Sequence, residues 1–343
     1  MRSELHPRCK LPVSIYYEDT DCVGIVYHSN YLKYFERGRE KLLGQDALVN
    51  LFEESGRNFV VVNVGVTFKL GARHGDILEV RTIPTIESAY RLEFDCSVWR
   101  KETSEEERWT PIVIGKVQMV CLDGEMKLCA LPPVITDEMR EIFGDLVKPG
   151  RKAPPRRRRL PAPRRSALSR SSASQGEAAA PHKFEIRVYY EDTDFTGVVY
   201  YANYLKFMER ARSQLFGFRN LARMKRDDGL SFVVHSANLD FKEGATHGDL
   251  LVVRTTYVSE SDFRVVFHQS IYRKSAALDA SVEGEGAGSE NNGSEGGGGG
   301  GGGGNGGGGD ADCAGMTLLV KGTIVLVCVD EAGRLSKVPT PTL

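Results

Sequence analysis

The residues with the clearest chemical potential form a short acidic segment that occurs twice. Residues 16–44 read YYEDTDCVGIVYHSNYLKYFERGREKLLG, and residues 189–217 read YYEDTDFTGVVYYANYLKFMERARSQLFG. Asp21 and its counterpart Asp194 lie in the pattern D-x-x-G-x-V-Y-x-x-N-Y, between a strand-like run and a helical pattern. A carboxylate so placed sits near a helix N-terminus, where backbone N–H groups lack intrahelical partners and the dipole is positive. That setting suits acyl transfer. The carboxylate attacks a carbonyl or deprotonates water, and a helix N–H stabilises the oxyanion. The competing reading is that each Asp only caps a turn or helix, a common role for this residue. Repetition of the whole EDTD segment weighs against it. Glu18, Asp19, Glu191 and Asp192 read as turn or salt-bridge residues.

The elements that must hold these carboxylates follow from the flanking pattern. LPVSIYY at 11–17 predicts a strand, and Asn30 is placed to N-cap a helix over about 31–43. Tyr31, Leu32, Phe35, Gly38, Leu42 and Leu43 fall on one helical face, repeated as Tyr204, Leu205, Met208, Ala211, Leu215 and Phe216. Small residues at mid-helix, Gly38 and Ala211, predict close approach to a sheet, and Gly44 and Gly217 suit a C-cap. Strands are expected at about 59–68, 76–86, 90–100 and 112–122, in meander order, with a short final helix within 136–147. Copy two has no room for an equivalent of that helix before Leu343. The fold class is therefore α+β, each half an antiparallel sheet of about five strands curled around one long helix.

The duplication extends well beyond the acidic segment. Eighteen of the 29 positions above are identical at a constant offset of 173, which continues through Phe59-Val60-Val61, Phe68-Lys69, His74-Gly75-Asp76 and Arg100-Lys101. Val120-Cys121-Leu122-Asp123 then matches Val327-Cys328-Val329-Asp330 at an offset of 207, so copy two carries about 34 extra residues between two strands. That insert, about 279–312, is almost pure Gly over 296–309 and is expected to be a flexible strand connection. Copy one has a small polar insert there, ETSEEER at 102–108. The expected organisation is module one at 11–147, an Arg/Pro/Ser-rich linker at 148–181, and module two at 182–343. The Arg run reads as a solvated linker, against a localisation or anionic-surface patch.

Composition narrows the partners. The net charge of −1 gives no global attraction to nucleic acid, and no apolar run is long enough for a membrane span. The N-terminal MRSELHPRCKLPVS lacks the apolar stretch of a secretory signal, so a cytoplasmic setting is expected, with an organelle left open. Seven cysteines are present without a CxxC pair, and Cys96, Cys121 and Cys328, in apolar strand-like runs, read as small buried hydrophobes. No His/Cys/Asp spacing suggests metal, and the Gly run lacks the Lys-Ser/Thr of a phosphate loop.

EDTDxxGxVYxxNY followed by FxER resembles the hotdog-fold 4-hydroxybenzoyl-CoA thioesterase superfamily, and within it the YbgC-like acyl-CoA thioesterases associated in bacteria with the Tol–Pal system. The resemblance continues through GARHGDILEVRT and KVQMVCLDGEMKLCALPPVI, and through EGATHGDLLVVRTT and GTIVLVCVDEAGRLSKVP. It covers both modules apart from the linker and inserts. It implies a catalytic carboxylate at Asp21 and Asp194. It places the oxyanion N–H at the helix start, on His28 and Tyr201. Tyr27, Asn30, Tyr200 and Asn203 match the motif and are expected to shape the site. Members of this kind usually carry His where copy two has Tyr201, which makes copy one the safer expectation for activity. The resemblance also implies an internal pseudo-dimer with sites at its interface, and further self-association. No cofactor is implied.

Glu36 and Glu209 read as helix carboxylates paired with Arg37 or Arg39, against the catalytic helix Glu of a second hotdog subfamily. Arg73, His74 and His247, with Lys69 and Lys242 nearby, read as a surface turn, with contact to CoA phosphates as the alternative. The expected function is acyl-CoA hydrolysis, on a fatty or aromatic acyl group. The alternatives are a non-catalytic acyl-CoA or acyl-carrier binding protein, a hotdog dehydratase or hydratase, and an interaction scaffold using the Arg-rich linker.

Overall fold

The computed structural model describes residues 6–102, 108–144, 181–275, 313 and 315–339. The Arg-rich linker up to residue 180, the Gly-rich insert and most of ETSEEER lie outside the described residues. Copy one runs β1 (Lys10–Ser14), α1 (Asn30–Leu43), α2 (Gln45–Ser55), β2 (Asn58–Phe68), β3 (Ile77–Ser88), β4 (Arg91–Lys101), β5 (Trp109–Leu122), β6 (Leu128–Cys129) and α3 (Pro133–Phe143). Copy two runs β7 (His182–Arg187), α4 (Asn203–Phe216), α5 (Phe218–Asp228), β8 (Ser231–Phe241), β9 (Leu250–Ser261), β10 (Arg264–Arg273) and β11 (Thr317–Val329). Each half has five principal antiparallel strands and one 14-residue helix, the expected α+β double hotdog.

The strands form because their apolar residues alternate. In β3, Leu78, Val80, Thr82 and Ile86 are buried beneath the helix while Glu79, Arg81 and Thr85 turn outward. The long helix can lie close because one position is small. A Cβ on Gly38 would come within 2.7 Å of Thr82 Oγ1 and 3.1 Å of Val80 Cγ1. In copy two the equivalent Ala211 is fully buried. Phe35 packs over Gly115, and Met208 over Gly322, in the same relation.

The sheet order differs from the expected meander. β3, β4 and β5 follow one another, but β2 pairs with β5, and β1 takes the place beside β3. Periodicity identifies a strand but not its neighbour. Placing β2 at the inner edge lets it pair with β8, so the two halves share one sheet and neither leaves that edge open. In this pairing Gly65 faces Asn238, two positions equivalent under the 173-residue offset. The local two-fold therefore passes between them, as an isologous contact requires.

Three local expectations are corrected. β1 ends at Ser14, and Tyr17–Asp19 form a single 3-10 turn, because the acidic residues fold back on the backbone. Asn30 is the first helical residue rather than the cap, and its side chain is spent on the Asp19 carbonyl at 3.1 Å. The final helix is Pro133–Phe143, starting earlier than anticipated because Pro133 suits the first helical position. A second helix, α2 or α5, follows each long helix and was not foreseen. Gly44 and Gly217, with φ of 86° and 80°, turn the chain from one helix into the next. No residue of α2 is fully buried, so its apolar periodicity is weak.

Candidate active site

Each acidic turn is a tight hairpin closed by a bridge, Thr20 to Val26 or Thr193 to Val199. The Asp21 N–H donates to the Ile25 carbonyl at 2.9 Å, and Asp21 Oδ1 accepts the Val23 N–H at 2.8 Å. Asp194 repeats this. Its N–H donates to Val198 at 3.0 Å, and its Oδ1 accepts the Thr196 N–H at 2.9 Å and the Thr196 hydroxyl at 2.5 Å. One oxygen of each carboxylate thus caps its turn. Asp194 Oδ2 has no hydrogen-bond partner among the described residues.

The acidic turn is pinned to the helix start by residues of the same motif. Tyr27 and Tyr200 donate backbone N–H groups to the Asp19 and Asp192 carbonyls at 2.8 and 2.9 Å. Asn30 and Asn203 donate side-chain N–H groups to the same carbonyls at 3.1 and 3.0 Å. Between them, the backbone N–H groups of His28 and Tyr201 have no partner among the described residues. Free donors at a helix start beside a fixed carboxylate are the components of an oxyanion site.

The two-fold places the acidic turn of each module against the long helix of the other. Asp194, Tyr200 and Tyr201 line a cavity of about 850 Å³ with Glu36 and Arg39 of α1. The far wall is apolar and comes largely from copy one, including Leu48 and Phe52 of α2 and Met119 of β5. The volume is in the range of small-molecule sites, which are mostly apolar with a few polar groups at one end. Burial pushes the Glu36 carboxyl above its usual range, while the Tyr200 hydroxyl beside it and Arg39 pull it down. Arg39 is buried and donates to the Tyr201 hydroxyl at 3.3 Å, and that hydroxyl donates to the Leu32 carbonyl at 2.6 Å. Burial pushes the Tyr201 phenol up to about 12, so it is a neutral donor at physiological pH.

At the other turn, Asp21 is raised, chiefly by burial. The Val23 and Ile25 backbone and Lys225 oppose the shift, and Glu209 adds to it. Burial drives His28 down to about 3, with Arg212 adding to the effect. Its ring is therefore neutral, and its Nε2 is buried without a partner. Arg212 instead donates to Gln269 Oε1 at 2.6 Å.

The residues with CoA phosphates as an alternative contact are not gathered around the cavity. His74 stacks on Tyr17 at 4.6 Å and His247 on Tyr190 at 3.9 Å, both exposed. Arg73 is exposed, and its backbone N–H closes the turn onto Asp76. Lys242 does line the cavity. Sequence reasoning missed α2 as a wall. The available signal was the spacing of Leu48, Leu51 and Phe52, one helical turn apart.

Comparisons with known proteins agree with this fold. The thioesterase-like superfamily pattern matches residues 16–141, and the thioesterase superfamily pattern matches residues 196–280. An acyl-CoA thioester hydrolase YbgC of Escherichia coli O6:H1 is 34% identical over 136 residues, 38% of this chain and 94% of that protein. An acyl-CoA thioesterase YbgC of Helicobacter pylori is 46% identical over 86 residues, 25% of this chain, and the match spans 63% of that relative's length. The 12:0-ACP thioesterase of Umbellularia californica superposes over 94% of this chain and 98% of its own, with a TM-score of 0.57 at 12% identity, a likeness of fold. No helix among the described residues is long and apolar enough to cross a membrane. With both modules matched and the YbgC relative covered nearly end to end, this chain belongs to the thioesterase superfamily, as a tandem pair of YbgC-like hotdog modules.

Proposed function

We propose that this protein hydrolyses acyl-CoA thioesters to a free carboxylic acid and CoA, with Asp194 and Asp21 as the reactive carboxylates. One observation carries the reading. Asp194, with one oxygen unbonded, lines a mostly apolar cavity walled by both modules. In this scheme the acyl group lies along α2, and the thioester carbonyl oxygen faces the Tyr201 N–H. Asp194 Oδ2 takes a proton from water as the water oxygen bonds to the carbonyl carbon. The oxyanion collapses, the C–S bond breaks, and the sulfur leaves as CoA thiolate. In the alternative step Oδ2 itself bonds to the carbonyl, CoA leaves, and water then cleaves the mixed anhydride. Single turnover in ¹⁸O-water separates the two where water opens the anhydride at the aspartyl carbonyl, because the first product then keeps an enzyme oxygen.

Asp21 with the His28 N–H forms the second site of the same design. The arrangement needs no metal or redox cofactor. Modules 11–147 and 182–343 act as one pseudo-dimer, joined by the 148–181 linker. Further self-association and a cytoplasmic setting complete the proposal. The deciding assay is free-thiol release from a panel of fatty and aromatic acyl-CoA esters, on wild type and on Asp21→Asn, Asp194→Asn and the double variant. Hydrolysis by a correctly folded double variant at the wild-type rate would sink the proposal. Binding of acyl-CoA without turnover by wild type would favour a non-catalytic binding protein.

A further inference from the structure

The second helices, α2 and α5, occupy equivalent places under the 173-residue offset, each beside the acidic turn of the other module. Their chemistry is opposite. Phe52 of α2 meets Phe195 edge to face, with ring centroids 5.4 Å apart. The equivalent pair at the other site is Lys225 and Cys22, and there the Lys225 ammonium donates to the Cys22 carbonyl. One residue from that contact stands Asp21, whose carboxyl burial raises against the opposing Lys225 charge. An aromatic contact at one mouth is thus an ammonium at the other.

The difference continues along the exposed face. Arg219, Arg223 and Arg226 recur at helical spacing on one solvent-facing stripe of α5. The same three positions of α2 hold Asp46, Asn50 and Glu53. Arg226 is paired with Asp227 at 2.7 Å, while Arg219 and Arg223 have no salt-bridge partner among the described residues. Lys225 spends one of its three N–H donors on Cys22 and has no other hydrogen-bond partner among the described residues. Single exposed charges contribute little, but several converging on one multivalent anion bind and steer it.

We infer that α5, through Lys225, Arg219 and Arg223, is a phosphate-binding element for the nucleotide end of CoA at the Asp21 site, and that the Asp194 site lacks its counterpart. CoA carries a pyrophosphate and a 3′-phosphate, which charge-assisted hydrogen bonds from guanidinium and ammonium groups match. The Asp46, Asn50 and Glu53 stripe offers no such donors and repels phosphate. The two sites therefore admit the same thioester by different ends. Phosphate contacts dominate at Asp21, and acyl contacts in the apolar cavity dominate at Asp194. This rests on the acyl-CoA reading above, but its principal test does not require turnover.

The test is calorimetric titration of the full chain with 3′-phosphoadenosine 5′-diphosphate at low salt. The expected result is one site per chain. Lys225→Phe, or Arg219→Gln with Arg223→Gln, should weaken it about tenfold or more, with a steep loss in salt. Phe52→Lys combined with Asp46→Arg and Asn50→Arg should create a second site. All these positions are exposed, and circular dichroism checks the fold. Unchanged affinity in the α5 variants, two equal sites in wild type, or equally tight binding of plain adenosine would overturn the inference. Equal binding of 4′-phosphopantetheine, with nothing gained from the nucleotide, would assign the element to a carrier-linked arm and overturn it as well. In an Asp194→Asn background, Lys225→Phe should raise KM for acyl-CoA while leaving KM for the phosphate-free N-acetylcysteamine thioester unchanged. Nucleotide binding without thiol release in wild type would refute hydrolysis and leave the α5 site standing.

Discussion

At the Asp194 site the buried Arg39 of the opposite module turns toward Tyr201. At the Asp21 site its counterpart Arg212 turns toward Gln269 and leaves His28 unpartnered. The sheet explains the choice. Gln269 is equivalent to Cys96, and a thiol is a poor acceptor for a guanidinium, so Arg39 takes the phenol oxygen instead. The ionisation follows the contacts. Burial lowers Arg212 to about 10, against the opposing charge of Glu209 and the Tyr27 hydroxyl. For Arg39, Tyr201, Cys96 and Glu36 outweigh the same burial and raise it. A change at the helix start, His28 against Tyr201, is thus matched by a change on a strand of the other module. Only an interface shared between the modules couples those positions.

The comparison is tested most severely by the two carboxylates. Asp194→Asn should reduce hydrolysis of long aliphatic acyl-CoA at least ~100-fold, and Asp21→Asn should leave roughly half the rate or more. Equal losses in thiol release would show that the cavity does not distinguish the sites. The next effect concerns His28, held near 3 when folded against an ordinary 6.5. Between those values the unfolded chain binds the extra proton, so stability is full above about pH 6.5 and falls as pH drops. From about pH 6.5 to 5 the loss should reach about 2 kcal/mol. His28→Asn should remove that slope in urea unfolding, and an unaltered slope would contradict the buried neutral ring.

Packing offers a smaller contrast. Gly38→Ala forces a Cβ against Thr82 and Val80 and should cost about 1–3 kcal/mol. Ala211→Gly, the reverse change in copy two, should cost about 1 kcal/mol through helix propensity. A neutral Gly38→Ala in denaturant titrations would mean that α1 can lift from β3. The smallest expected effect is Tyr201→Phe. It removes the hydroxyl bridging Leu32 and Arg39 and should cost about 1 kcal/mol, with no change in the backbone N–H. A kcat loss as large as that of Asp194→Asn would instead give the phenol a direct part in the reaction.

Much of this arrangement was legible in the residues. The acidic turn, the helix behind it and the strand positions follow from local chemistry, because capping, glycine turns and alternation act over a few residues. Gly38 announced its close contact for the same reason: a missing Cβ on a buried helical face has few other uses. Strand order was not legible, since β2 carries the same pattern whether it pairs with β3 or β5. α2 was missed because a helix that only walls a cavity has few fully buried residues to mark it. His74 and His247 lie in exposed turns away from the cavity. Their rings are taken by Tyr17 and Tyr190 on the outer surface.

By itself the sequence determined that there are two modules, that each carries Asp21 or Asp194 ahead of a long helix, and that both share one motif. These are properties of short segments, specified by side chains near one another along the chain. The tertiary structure decided which residues complete each site. The β2–β8 pairing turns the halves about a two-fold, so Asp194 meets Glu36 and Phe52 while Asp21 meets Glu209 and Lys225. Contacts across more than 150 residues depend on how two folded surfaces fit, and no periodicity within either module encodes that fit.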